Sequence, residues 1–218
     1  MQRFLRNNGL SVTLFVLFAI SLVGQALAGW RAHGAELQVH GLEPLGFVAY
    51  LATGHFISAV FENWESEFLQ MSVYVLLTVF LFQKGSPESK DPDEEEAGGE
   101  ADEPRKSGAP WPIHRGGLML KLYSHSLSIA LVSLFLFSFA LHLAGSARRT
   151  NEVAAFHHQP TVTVLETLAD PEFWYESFQN WQSEFLSIAL LIVLGIYLRE
   201  KGSPESKPVG APHGSTGH

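Results

Sequence analysis

FENWESEFLQ at Phe61–Gln70 returns as FQNWQSEFLS at Phe178–Ser187, and in both places the apolar stretch that follows closes on KGSPESK, at Lys84–Lys90 and Lys201–Lys207. Over Phe61–Lys90 and Phe178–Lys207 the copies align without a gap at an offset of 117 residues and share 16 of 30 positions. Unrelated sequences of ordinary composition would share about two. Two copies of one unit therefore make up the chain. What both copies retain lies at the two ends of an apolar run, and the run between them drifts.

The chain has 218 residues, a formal charge of −8, 46% apolar residues and no cysteine. Long uncharged stretches in such a composition indicate an integral membrane protein. Without cysteine there is no disulfide, redox dithiol or thiolate metal site. Leu10 to Gly29 is a 20-residue stretch without charge, and Leu122 to Gly145 is longer, with Tyr123, His125 and His142 as its only titratable members. Both match the roughly 20 residues that a bilayer-crossing helix needs. Phe68 to Gln83 offers 16 uncharged residues and Phe185 to Leu198 offers 14. These cover about 24 and 21 Å at 1.5 Å per residue, so flanking residues must help them cross or the bilayer must thin. The first run resembles a secretory leader, with Arg3 and Arg6 ahead of it and Ala26-Leu27-Ala28 near its end. Leu10-Ser11-Val12, however, aligns with Leu127-Ser128-Ile129 at the same offset, and an internal copy is not a cleaved leader. Four spans are expected.

Leu45 to Phe61 is a fifth apolar stretch, interrupted by Gly46 and Gly54, whose counterpart carries Glu166, Asp170, Glu172 and Glu176. Each such charge costs roughly 2.5–3.5 kcal/mol at a bilayer centre. An interfacial or re-entrant helix on the extracytoplasmic side is the expectation for this region of each copy. Asp170 and Pro171 read as the N-cap and first residue of the last helix. With four spans, the segments before Leu10, between Gln83 and Leu122 and after Leu198 share one side and hold 11 of the 14 Lys and Arg. Both termini are accordingly expected in the cytoplasm, and the two hairpins enter in the same sense as a parallel repeat. The implied layout is a first hairpin over residues 1–90, an acidic linker over 91–112 too poor in apolar residues to order, a second hairpin over 113–207 and a disordered tail over 208–218.

On the helix entering the second span of each copy, Asn63, Ser66, Glu67 and Gln70 line one face, and their counterparts are Asn180, Ser183, Glu184 and Ser187. Counting back from the cytoplasmic ends places Glu67 and Glu184 about one turn inside the extracytoplasmic boundary. The copies differ at Glu62 against Gln179 and at Glu65 against Gln182 while both keep Glu67 and Glu184, so the retained carboxylate has a position-specific task. Two tasks fit. A carboxylate inside a membrane can carry a proton or bind a cation, the more so beside its twin; equally, Asn, Ser and Glu can hydrogen-bond across helices as packing glue. Gln25 and His142, aligned with each other near the same surface, would complete a polar vestibule with Asn63, Asn180, Glu67 and Glu184. A lone membrane histidine more commonly hydrogen-bonds than ligates, and with Gln in the other copy bis-histidine haem is not expected. Trp64 and Trp181 read as interface anchors. In KGSPESK, Gly85 and Gly202 can cap the helix, Pro87 and Pro204 stop it, and the lysines face anionic lipid; a cytoplasmic docking role is the minor reading. His33, His40, His157 and His158 follow no compact metal template.

ENWESEFLQM, FWYESFQNWQSEFL and KGSPESK resemble a small family of bacterial inner-membrane proteins known as a domain of unknown function. The resemblance covers nearly the whole chain outside the acidic linker. It implies an inner-membrane location and transfers no activity. The expectation is an all-α membrane protein of four transmembrane helices in two parallel tandem hairpins, with extracytoplasmic interfacial helices. The bilayer is its partner and a homo-oligomer could complete the bundle. No nucleic-acid patch, nucleophile–base pair, cofactor motif or metal set appears, so it is not expected to be an enzyme. Its function reads either as a site or pathway for a proton, cation or small solute centred on Glu67 and Glu184, or as a non-transporting scaffold or interaction protein.

Overall fold

A computed structural model describes residues 2–90 and 110–217; the expected linker lies outside the described residues except for its last three. Among the described residues all regular structure is helical. Eight helices follow in order: α1 (Gln2–Val39), α2 (Phe47–Tyr50), α3 (Gly54–Phe80), α4 (Trp111–Arg115), α5 (Gly117–Ser124), α6 (Ser126–Phe156), α7 (Val164–Leu168) and α8 (Pro171–Tyr197). The ends of α1 and α6, the starts of α2 and α7, and both bounds of α3 and α8 each lie 117 residues apart.

Among the described residues three helices are long and apolar enough to cross a membrane: Phe4–Val39, Ser126–Phe156 and Pro171–Tyr197. Only 6% of the most apolar window of the first and of the last is covered by protein, so that surface calls for an apolar solvent. The fourth expected span falls short. Glu65, Ser66, Glu67, Gln70 and Ser72 dilute its apolar content, and α3 stops at Phe80, before Leu81 and Phe82 of the run are used. The span expected to open at Leu122 is also divided, because α5 ends at Ser124 and α6 starts at Ser126 across a non-helical His125.

The chain divides into two compact units. The first holds Met1–Glu62 and Ala140–Trp174. Here Leu45 to Phe61 is not one interfacial helix. Thr53 accepts a hydrogen bond from Phe56 N through Oγ1 at 3.3 Å, the mark of an N-cap, so α3 starts at Gly54 and Phe61 already lies within it. Small residues set its packing on α6. A Cβ on Gly145 would stand 2.6 Å from Ser58 N, one on Gly54 would overlap the backbone of Arg149, and Ser58 and Ser146 share a hydroxyl hydrogen bond of 3.0 Å. Close backbone approach through small residues and hydroxyls is how helices associate where lipid gives no hydrophobic drive. Thr163 and Glu166 form a capping box for α7, and those bonds hold the Glu166 carboxyl below the usual carboxylate range. Asp170 Oδ1 accepts from Glu172 N at 3.0 Å with Pro171 between them, the helix start expected for α8.

The second unit holds Asn63–Phe139 and Tyr175–His218. Both KGSPESK segments adopt one loop. Ser86 N and Ser203 N bond back to Gln83 O and Glu200 O, with Gly85 (φ 85°) and Gly202 (φ 89°) at the third turn position, where a type II turn requires positive φ. Ser86 and Ser203 Oγ accept from Glu88 N and Glu205 N, and Ser89 and Ser206 Oγ accept from Gln83 N and Glu200 N. The glycines are thus turn residues several positions beyond the helix ends rather than helix caps. The repeated glycine and both repeated serines each have a local backbone task, and the proline between the serines starts the second bend.

The segment after Lys207, for which composition suggests no structure, is described through Gly217 and lies against both loops. Lys207, 1% exposed, donates from Nζ to the carbonyls of Pro212, His213 and Ser215 at 3.2, 2.8 and 3.0 Å. Gly85 N donates to Thr216 Oγ1 at 2.9 Å and Gly217 N to Ser86 O at 3.0 Å. Arg199 reaches Ala211 O at 3.1 Å and the last carbonyls of α8, and His213 Nδ1 lies 3.1 Å from Ile196 O. The ends of α8 and of the chain therefore satisfy each other's backbone carbonyls, which a helix terminus leaves without intrahelical partners.

Candidate functional site

In the second unit α3 and α8 bring their polar residues together. Gln70 Nε2 donates to Glu184 O at 2.6 Å and to Ser187 Oγ at 3.1 Å. Gln70 and Ser187 occupy the same position in the two copies, as do Glu67 and Glu184, and the charges of Glu67 and Glu184 act on one another. Glu67 is exposed on the protein surface and Glu184 half-buried.

Among the described residues the most deeply placed carboxylate is a different one. Glu65 has no exposed surface, and Trp181 Nε1 donates to its Oε1 at 3.0 Å. Its aligned residue Gln182 is exposed, and donates to Gln179 O within its own helix at 3.1 Å. Comparison of the two copies passes over Glu65 because they differ there. That difference is itself a signal: a carboxylate on one helix only is what an asymmetric contact with one partner leaves behind. Trp181, expected as an interface anchor, gives its indole N–H to Glu65 and sets its ring against Phe178 at 5.2 Å; Trp64 is half-buried.

The hydroxyls of Ser66 and Ser183 turn back on their own helices, donating to Asn63 O and Asn180 O at 2.8 Å each. Asn180 Nδ2 donates to Glu176 O at 3.2 Å, and Asn63 is exposed. Ser66, Ser183 and Asn180 thus each direct a side-chain donor to a carbonyl of their own helix. Gln25 and His142, the other members of the expected vestibule, belong to the first unit. Gln25 is exposed and reaches Ala59 O at 3.5 Å, whereas His142 is fully buried with its ring on Phe173 at 4.8 Å. Of the four histidines without a metal template, His33 lies within α1 and stacks on His55 at 5.0 Å, and His40 meets His157 edge-on at 5.6 Å.

Apolar helices of membrane-crossing length, with carboxylates, amides and hydroxyls gathered along α3 and α8, define an all-helical protein compatible with a membrane. The chain belongs to the family described as Domain of unknown function (DUF6766), whose model matches residues 1–218. No curated protein and no solved structure gives a significant match.

Proposed function

We propose that this is a multi-pass protein of the bacterial plasma membrane, built as two tandem parallel hairpins, and that the facing stripes of α3 and α8 bind a proton or a cation. One observation carries the reading: residues at identical positions of the two copies meet, with Gln70 bonded to Ser187 and the charges of Glu67 and Glu184 acting on one another. Equivalent residues meet only near a twofold axis, so twin carboxylates flank that axis. Like charges held together in a weakly polar medium are relieved by taking up one positive charge. Glu65 adds a third carboxylate to the same helix pair.

The fourth span of this arrangement is the part of α3 from Asn63 onward. The helix has the same length as α8, 27 residues, and Met71, Leu76, Leu77, Val79 and Phe80 on it are exposed although apolar. Both termini are then cytoplasmic, with 11 of 14 basic residues on their side. Because the chain has no cysteine, single cysteines introduced by K84C, K201C and R31C report sidedness directly. Labelling of intact cells is expected at R31C alone; a K84C chain labelled from outside removes α3 from the membrane.

The scaffold reading keeps one supporting observation, since the Trp181–Glu65 and Gln70–Glu184 bonds are also the glue of a packed helix pair. Proteoliposomes holding a pH- or cation-sensitive dye separate the two. The wild-type chain is expected to dissipate an imposed gradient above the rate of empty vesicles, and E67Q combined with E184Q to return it to that background with helical content unchanged. Wild-type flux at background, with the variant losing assembly instead, leaves the scaffold.

A further inference from the structure

In the first unit a separate group of titratable side chains is packed where α1, α2, α3 and α6 meet. His33 on α1 is 12% exposed and its Nδ1 lies 3.5 Å from Glu36 Oε2 one turn on. Its ring stacks on that of His55, the second residue of α3 and well ahead of Asn63, with centroids 5.0 Å apart and planes at 26°. Tyr50 of α2, 2% exposed, sets its hydroxyl 3.1 Å from His55 Nδ1 and its ring 5.7 Å from His33. Gly29 makes room for that tyrosine, since a Cβ there would overlap the hydroxyl. From α6 come Arg148, Arg149 and Glu152. Arg148 Nε donates to Glu152 Oε1 at 2.9 Å, and the same carboxylate accepts from Gly54 N, the residue before His55, at 3.1 Å.

We infer that His33 and His55 form a site that takes up one proton on one ring or the other, with Glu36 as counter-charge and Tyr50 as the hydrogen-bonding anchor of His55. With both rings neutral, the charges of Glu36 and Glu152 balance those of Arg148 and Arg149. One proton makes the cluster singly positive. A second would place two imidazolium rings face to face in a half-buried position, where like charges strongly oppose each other. The first proton therefore opposes entry of the second. A tyrosine hydroxyl suits either state, because it donates to an unprotonated Nδ1 and accepts from a protonated one. A metal ion fits poorly. Rings nearly parallel send their in-plane lone pairs along parallel directions, and a tetrahedral ion needs them to converge.

The surroundings decide which ring stays neutral. Burial, and after it the charge of His33, hold His55 below the ordinary histidine value; Glu36 and Glu152 work in the other direction and Arg149 with the first two. Because the folded chain binds fewer protons at His55 than the unfolded one, the stability linked to this group is complete above an unperturbed value of about 6.5 and declines as pH falls toward the folded value. The site belongs to the first unit and does not rest on the reading of the glutamates in the second.

Side-chain NMR of the full chain in nanodiscs, with nitrogen-labelled histidine and pH lowered from 8 to 5, tests this. One proton is expected to be taken up by the His33 and His55 pair, and H33Q is expected to move the His55 midpoint upward. Two protons bound independently over that range, or a His55 midpoint indifferent to H33Q, overturns the site. If the H33Q chain does not fold, E36Q serves instead, at a side chain 56% exposed. It is expected to move the midpoint of the pair downward, and an unmoved midpoint overturns the proposal equally.

Discussion

Alanine at Gly54 or Gly145 is expected to destabilise the protein by about 1–3 kcal/mol each, although alanine is the better helix former. The competing terms differ in size. Alanine in place of glycine within a helix gains up to about 1 kcal/mol. Against this, the new Cβ at position 145 would lie 2.6 Å from Ser58 N and 3.0 Å from its Cα, and that at position 54 would sit 2.7 Å from Arg148 C and overlap Arg149 N. The atoms met are backbone in both cases, so relief requires one helix to move off the other rather than a side chain to rotate. Separation would also stretch the Ser58–Ser146 hydroxyl bond and the bonds from Gly54 N to Glu152. Gly24→Ala is the matched control, because a Cβ there meets nothing within 4 Å. Denaturant unfolding in micelles should rank G24A at or above the wild type and both other variants below it. Equal stability for all three would mean that α3 and α6 do not approach this closely.

These glycines show what kind of information a single sequence carries about a membrane fold. The repeat was legible because identical letters at a fixed offset need no three-dimensional context, and the same offset reappears in the bounds of α3 and α8. Gly54 was visible too, but as an interruption of an apolar stretch. Its absent side chain leaves room and does not say what occupies it. The residues aligned with Gly54 and Gly145 are Pro171 and Ala28, so the comparison of copies gave no hint of a packing role. Mean hydropathy undercounts α3 for a related reason. Polar residues subtract from a mean value wherever they point, while burial of Glu65 and Ser66, at 0% and 2% exposure, depends on which helix they face.

For the candidate site, agreement between copies singled out Glu67 and Glu184, whereas the aligned pair that is hydrogen-bonded, Gln70 and Ser187, differs between the copies. Contacts made once per chain were invisible to that criterion. Glu65, and His33 with His55 and Tyr50, all fall where the two copies carry different residues: Gln182 opposite Glu65, Thr150 opposite His33, Glu172 opposite His55 and Thr167 opposite Tyr50. A duplicated chain is free to specialise wherever its halves meet different neighbours. Divergent polar positions next to retained ones are therefore as informative as the retained ones.

The same asymmetry sets the second large effect, at the two lysines that end KGSPESK. Lys207→Met is expected to open the end of the chain, whereas Lys90→Met, the identical change in the other copy, is expected to leave it closed. Methionine keeps the length and apolar stem of lysine and removes only the ammonium group. At Lys207 that group uses its three protons on the carbonyls of Pro212, His213 and Ser215, in a position 1% exposed; Lys90 is exposed. Hydrogen bonds from a charged donor contribute roughly 1.5–3 kcal/mol, and carbonyls left buried without a donor cost a similar amount. The tail can recover part of this by opening to water, so the loss appears as local opening worth about 2–3 kcal/mol rather than as global unfolding. Its reporters are Gly85 N, bonded to Thr216, and Gly217 N, bonded to Ser86 O. Their amide exchange should accelerate roughly 30- to 150-fold in K207M, at about 1.4 kcal/mol per tenfold, with the amides of α6 unaffected. Equal acceleration in K90M would place the closure in the motif as such; no acceleration in K207M would mean that the end of the chain is not held by this lysine. Since Gly85 lies in one copy of the motif and Lys207 in the other, exchange at Gly85 that responds to Lys207 also measures how far the tail makes the two loops a single structure.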